Sequence, residues 1–258
     1  MKRTKIDVNA ADFPARFQPL LQGDIYNSSC SNAAQVWFLE AEGCYLKKAE
    51  KGQLQKEATM TRFFHKKRLA TEVLDYESSE FDWLLTQKVT GEDCIHPMHL
   101  EDPRRLCDLL GQLLRQLHEE RTDGCPILRT AEYLETAKQN FEAKAYDASQ
   151  FPDNWGYASA EEAWRFIEEN KKYLRSDVLI HGDYCLPNIM LDDWHFSAFI
   201  DLGGAGLGDR HIDLFWGIWS LAYNLKTDAY RDRFLDAYGR DQVQEEMFRL
   251  IAACEVFG

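Results

Sequence analysis

The stretch that most limits what this chain can fold into is VLIHGDYCLPNIMLDDWHFSAFIDLGGAGLGD, residues 178–209. Residues 178–180 read as a short strand, and His181-Gly-Asp183 is the loop after it. Residues 189–191 and 196–200 read as two further strands joined by a turn at 192–195. A hairpin sets its two outer ends side by side. Asn188 precedes the first of these strands and Asp201 follows the second, so both are expected at one open end, with Asp183 five residues upstream. Three oxygen-bearing side chains are thereby predicted to converge.

Such a set suits phosphoryl transfer. Magnesium takes hard oxygen ligands from one or two side chains and completes its shell with phosphate oxygens. A carboxylate and an amide oxygen meet that need without piling negative charge beside the phosphates. A separate Asp can orient an attacking hydroxyl and accept its proton. Any one of these residues, taken alone, reads equally well as turn or cap chemistry, because Asp, Asn and Gly populate turns anyway. The ordered set H-G-D-x4-N, hairpin, I-D-L-G is what separates the two readings.

The rest of the chain supplies two different halves. Residues 24–90 are mostly β in pattern: 35–39 and 44–47 form a hairpin around a Glu-Ala-Glu-Gly turn, 53–68 is a helix, and 73–76 and 81–85 are strands. A polar connector at 86–91 ends in Gly and marks the boundary between a 1–90 unit and a 91–258 unit. Beyond it the pattern is helical. Asp102-Pro103 caps a helix whose Leu106, Leu109, Leu110, Leu113, Leu114 and Leu117 repeat at three and four residues. Further helices are expected over 130–145, 160–173, 214–225 and 230–254.

Charge follows the same division. Of the net −13, residues 1–91 carry +1 and residues 92–258 carry −14. That balance argues against a nucleic-acid partner. An acidic half can gather a cationic ligand, or it can be no more than a soluble surface. No apolar run follows the basic N-terminal residues, and none approaches membrane-spanning length. A cytoplasmic location without membrane contact is expected, and nothing points to an obligate protein partner. The seven cysteines include no C-x-x-C pair and read as reduced structural thiols.

The runs HGDYCLPNIML and FIDLGGAGLGDRHIDL resemble the aminoglycoside 3′-phosphotransferases, the kanamycin and neomycin kinases, over residues 25–257. The resemblance implies an α+β, two-lobed, protein-kinase-like fold, with an N-terminal antiparallel sheet plus helix and a mostly helical C-terminal lobe. It implies transfer of the γ-phosphate of ATP or GTP, with Mg2+, to a hydroxyl of a cationic aminoglycoside. Asp183 would be the catalytic base, Asn188 and Asp201 the magnesium ligands, and Asp213 an anchor for the catalytic loop. Lys47 would bind the α/β-phosphates and Glu57 would pair with it. Tyr45 shares a strand face with Lys47 and would stack on the adenine. Gln87 and Val89 would offer backbone groups to the base, and Asn32 stands in the nucleotide-covering loop.

On the acceptor side the chain departs from that pattern. The family motif D-L-G-R is Asp201-Leu-Gly-Gly204 here, and a second family arginine is replaced by Trp219. Glu255 and Phe257 occupy the family's C-terminal acceptor-binding region, with Gly258 displacing the terminal carboxylate by one residue. Asp153 is a further candidate acceptor-loop carboxylate. These changes leave two other readings beside aminoglycoside phosphorylation: a kinase of another amino-bearing alcohol or amino sugar, and a nucleotide-binding protein without catalysis.

Overall fold

The computed structural model describes residues 3–29, 34–151 and 156–258. Asn32 and Asp153 lie outside the described residues. In chain order the elements are β1 (Thr4–Ile6), β2 (Ile25–Asn27), β3 (Ala34–Leu39), β4 (Cys44–Glu50), α1 (Gln55–Lys66), β5 (Val73–Ser78), β6 (Phe81–Gln87) and β7 (Glu92–Asp93). There follow α2 (Pro97–Leu100), α3 (Pro103–Glu119), α4 (Arg129–Ala143), α5 (Ala160–Asn170), β8 (Val178–Ile180), β9 (Ile189–Asp192) and β10 (His195–Phe199). The last are β11 (Gly206–Gly208), α6 (Arg210–Leu225), α7 (Arg231–Tyr238) and α8 (Glu245–Glu255). They form two compact units, Met1–His96 with Pro187–Gly203, and Pro97–Leu186 with Gly204–Gly258.

The first unit is built on a six-stranded antiparallel sheet in the order β1-β2-β3-β4-β6-β5. Alternation along β4 sends Cys44 and Leu46 to one face, where they pack with Phe13, Phe17, Trp83 and Leu85. Ala49 goes to the other face and packs with Leu54 and Ala58 under α1. Leu54 gives α1 no side-chain cap; instead Asp82 of β6, fully buried, accepts from Leu54 N at 2.9 Å. The helix stops where Arg68 turns left-handed (φ 63°) and Leu69 N returns to Phe64 O at 3.0 Å. The sequence helix over 53–68 is therefore shorter at both ends.

The β9–β10 hairpin belongs to this first unit, and the reason is β7. Glu92 and Asp93 pair antiparallel with Leu191 and Met190, making a three-stranded ladder in the order β10-β9-β7. Gly91 makes the approach possible: with φ 87°, its added Cβ would lie 2.1 Å from Leu191 O. The connector at 86–91 thus does not close the unit, which runs on to His96 and takes in 187–203. The hairpin turn is tighter than expected, because His195 pairs with Asp192 and leaves only Asp193 and Trp194, both at positive φ (45° and 64°).

The second unit is helical around a core that includes Tyr133, Tyr157, Ile167, Ile180, Ile212, Ile251 and Phe257. Asp102 caps α3 by accepting from Arg105 N at 3.2 Å, and Leu106, Leu110, Leu113, Leu114 and Leu117 are buried, as their spacing requires. Gly111 lets α7 close on α3, since a Cβ there would meet Phe234 O at 2.6 Å. The helix expected over 230–254 is two helices: Gly239, at φ 113°, ends α7, and α8 begins at Glu245. Among the described residues no helix is long and apolar enough to cross a membrane.

Candidate active site

In the first unit β4 carries Lys47 and α1 carries its partner Glu57. Lys47 Nζ donates to Glu57 Oε2 at 2.7 Å and to Asp201 Oδ1 at 2.8 Å. Burial alone would lower the Lys47 pKa, but Glu57 and Asp201 outweigh it and hold the ammonium above the ordinary lysine range. Burial pushes the Glu57 carboxyl up, and the neighbouring ammonium opposes it. Asp201 sits in the left-handed region at φ 59°, a conformation that costs a non-glycine residue energy and is found at functional sites. Ile200 N donates to Asn188 O at 3.0 Å, which closes the hairpin end and brings Asn188 and Asp201 to the same edge. Asn188 is buried.

One carboxylate and one amide oxygen on a hairpin end form an open, oxygen-only donor set. That set fits a magnesium ion that keeps phosphate and water ligands, rather than a closed protein cage.

The other nucleotide-side residues fall unevenly. Tyr45 shares the Lys47 face, its ring 5.0 Å from that of Phe38, and its hydroxyl accepts from Arg3. Gln87 is engaged within the sheet: its N–H donates to Glu72 O at 3.0 Å, its carbonyl accepts from Thr71, and its side chain donates to Gly43 O at 2.8 Å. Val89, beyond the end of β6, has no backbone–backbone hydrogen bond among the described residues. Lys48 points to the opposite face and lies over Phe81 and Trp83.

In the second unit the loop after β8 is held at several points. Asp213, fully buried in the first turn of α6, accepts from His181 N and Gly182 N, both at 2.7 Å. His118 Nε2 lies 3.1 Å from the same carboxylate and His118 Nδ1 lies 2.8 Å from the Tyr238 hydroxyl. Burial lowers the His118 pKa, so the ring is neutral. A carboxylate only accepts, so Nε2 carries the hydrogen and Nδ1 accepts from Tyr238. Tyr184 donates to Leu110 O at 2.9 Å, and Leu186 N donates to Ser220 Oγ at 2.9 Å. Gly182 is at φ 81°, and its Cβ would fall 1.9 Å from Gly204 O; no other residue fits. That contact also places Gly204 against the loop backbone.

Asp183, half-buried on this loop, lines a cavity of about 400 Å³ with Glu255, Arg129, Tyr133, Trp216 and Gly258. Glu255 Oε1 accepts from Tyr133 at 2.6 Å and from Trp216 Nε1 at 3.1 Å. Burial pushes the Glu255 carboxyl up to about 7 against those two donors. Burial, with Asp183 alongside, also pushes the Cys185 thiol far up, so it stays protonated and unreactive. Phe257 does not belong to the cavity. It is fully buried among Phe141, Tyr146 and Trp164, and its carbonyl accepts from Asn140 at 2.6 Å, because the aromatic ring two residues beyond α8 is driven into the core. Trp219 is 46% exposed and stacks on Tyr223. Arg129, Tyr133, Trp216 and His118 carry no motif; each reads from sequence as an ordinary helix residue.

The chain resembles known proteins in sequence and in fold. Residues 27–248 match the phosphotransferase enzyme family. A probable aminoglycoside 3′-phosphotransferase of Lactococcus lactis is 46% identical over 258 residues, covering 98% of each chain. An aminoglycoside 3′-phosphotransferase of Niallia circulans is 30% identical over 70% of this chain and 69% of its own. The crystal structure of an aminoglycoside-3′-phosphotransferase of type VIII shares the fold, with TM-score 0.76 at 22% identity over 99% of this chain and 94% of that one. An aminoglycoside phosphotransferase of Streptomyces rimosus, solved with ADP and streptomycin, aligns at TM-score 0.72 and 22% identity over 86% and 90%. With its lysine–glutamate pair, its anchored H-G-D loop and this breadth of likeness, the chain belongs to the phosphotransferase enzyme family, among the aminoglycoside 3′-phosphotransferases.

Proposed function

We propose that this chain transfers the γ-phosphoryl group of ATP or GTP to an aminoglycoside hydroxyl, the 3′-hydroxyl by the names of its relatives, and so confers resistance to the antibiotic. The observation that carries the reading is the cavity at Asp183, where a hydroxyl can meet a carboxylate base while Glu255 receives an ammonium of the same acceptor. Asp183 would orient the hydroxyl and accept its proton as the O–P bond forms. Lys47, held by Glu57, would neutralise the α/β-phosphates, and Tyr45 would stack on the base. Asn188 and Asp201 would hold magnesium, which when bound offsets phosphate charge. The acidic balance of residues 92–258 favours arrival of a polycation.

Steady-state turnover of kanamycin and neomycin with ATP or GTP and magnesium tests this directly, and absence of phosphorylated product with every aminoglycoside rejects it. Gly204 and Trp219 favour a second reading, an amino-bearing alcohol or amino sugar as acceptor. Preferred turnover of such a metabolite in the same panel would select it.

A further inference from the structure

The cavity that holds Asp183 and Glu255 also holds a cation. Arg129, the first residue of α4, lines it. The backbone fixes its place: Leu128 bridges Leu207 in parallel, Leu207 N donates to Ile127 O at 2.8 Å, and a Cβ on Gly206 would lie 3.1 Å from Arg129 Cβ. The guanidinium is poorly satisfied. Its Nη1 lies 3.9 Å from Glu132 Oε2, at the outer limit of an ion pair, and its centre lies 5.8 Å from that of the Tyr133 ring. Its Nε–H is buried with no hydrogen-bond partner among the described residues.

The Nε–H is enclosed by protein, so an acceptor in the cavity meets the guanidinium at its Nη N–H groups, which the distant Glu132 leaves weakly engaged. Arginine neither accepts a hydrogen bond nor releases its proton. What complements it is an oxygen. An ammonium, which only donates, is opposed there both as a cation and as a second donor.

We propose that Arg129 is a specificity-determining residue that reads a hydroxyl on the acceptor ring seated in this cavity and excludes an ammonium from that position. The inference rests on the acceptor reading given above and narrows it. Carboxylates alone would welcome amino groups at every position; one guanidinium among them makes the pocket read a pattern, with nitrogen toward Glu255 and oxygen toward Arg129. Discrimination then comes from repulsion of the wrong substituent as much as from attraction of the right one.

Paromomycin and neomycin test it, since on the ring bearing the 3′-hydroxyl they differ by one hydroxyl against one ammonium. The measurement is kcat/KM for both acceptors, with ATP and magnesium, on the full chain and on Arg129→Met and Arg129→Gln. The unsubstituted protein is expected to favour paromomycin by about tenfold, as a polar site facing the wrong group does. Arg129→Met should bring the ratio to within about twofold, chiefly by improving neomycin. Arg129→Gln, which keeps a donor but adds an acceptor and loses the charge, should fall between and decides the matter if the Met variant does not fold. Equal use of the two acceptors by the unsubstituted protein, or a preference unchanged in both variants, overturns the role of Arg129 while leaving the acceptor reading intact. Failure of the unsubstituted protein to phosphorylate either one overturns the Arg129 proposal, and failure with kanamycin and every other aminoglycoside as well overturns the acceptor reading itself.

Discussion

Lys47 and Asp201 stand 154 residues apart in the chain and meet at 2.8 Å. One strand residue of the sheet and one residue past the β10 strand are thereby fixed to each other, with Glu57 on the far side of the ammonium at 2.7 Å. The Lys47 ammonium thereby fixes the orientation of the Asp201 carboxylate.

Asp201→Ala is expected to weaken magnesium-nucleotide binding by about 10- to 100-fold, the scale of one lost charge-assisted interaction. Calorimetric titration with ATP, in the presence and absence of magnesium, reads this. Affinity within twofold of the unsubstituted protein in magnesium would exclude Asp201 as a ligand.

Asp183→Ala should behave oppositely. Turnover is expected to fall by about 10²–10⁴, the range of a general base, while nucleotide affinity stays within a few-fold. Steady-state rates beside the same titration separate the two effects, and a large loss of nucleotide binding would count against Asp183 as the base.

The anchor beneath that loop makes a prediction about stability. Asp213→Ala leaves His181 N, Gly182 N and His118 Nε2 without their acceptor in a fully buried position. The loss is expected to be about 3 kcal/mol, roughly 6–12 °C in melting temperature for a chain of this size. Asp213→Asn keeps an acceptor oxygen and should recover part of it. A thermal melt of both variants checks the order.

Glu255 supplies a pH dependence. Its carboxyl is pushed up to about 7, so the form that attracts an ammonium grows in as pH rises through neutrality. Acceptor kcat/KM at fixed nucleotide is expected to rise by about tenfold between pH 6 and 8 on this account. In Glu255→Gln that rise should flatten. An equal slope in both proteins would remove Glu255 from acceptor recognition.

What the sequence made legible follows the strength of local patterning. The 189–200 hairpin, the leucine stripe of α3 and the strand–helix order of residues 35–85 were readable because period and turn chemistry agree there. Lys47, Glu57 and Asp201 were readable through motif resemblance, and the structure brings these three together. Other features had no local signal. β1 is three residues long and gains its partner only through β2, while Phe13 and Phe17 are buried by the sheet rather than by any pattern of their own. The C-terminal ends of α1 and α4 come two residues earlier than expected, because Arg68 and Lys144, rather than glycines, adopt the left-handed stop. Phe257 was a candidate because it occupies the family's C-terminal acceptor-binding region, yet two residues separate Glu255 on the cavity wall from Phe257 in the core. Arg129 could not be singled out, since it lines one cavity with Asp183 where residues 127–128 pair with Leu207, a contact with no local signal.

The β7–β9 ladder has a consequence for how the chain is made. The first unit is not complete until residue 203, because the hairpin that pairs with Glu92 and Asp93 arrives only after the ninety residues of 97–186. At synthesis rates of about 5–20 residues per second, β7 waits on the order of five to twenty seconds for its partner strand β9. A nascent chain of this kind emerges with the backbone of Glu92 and Asp93 still unpaired, and a fragment ending at His96 would carry that open edge permanently.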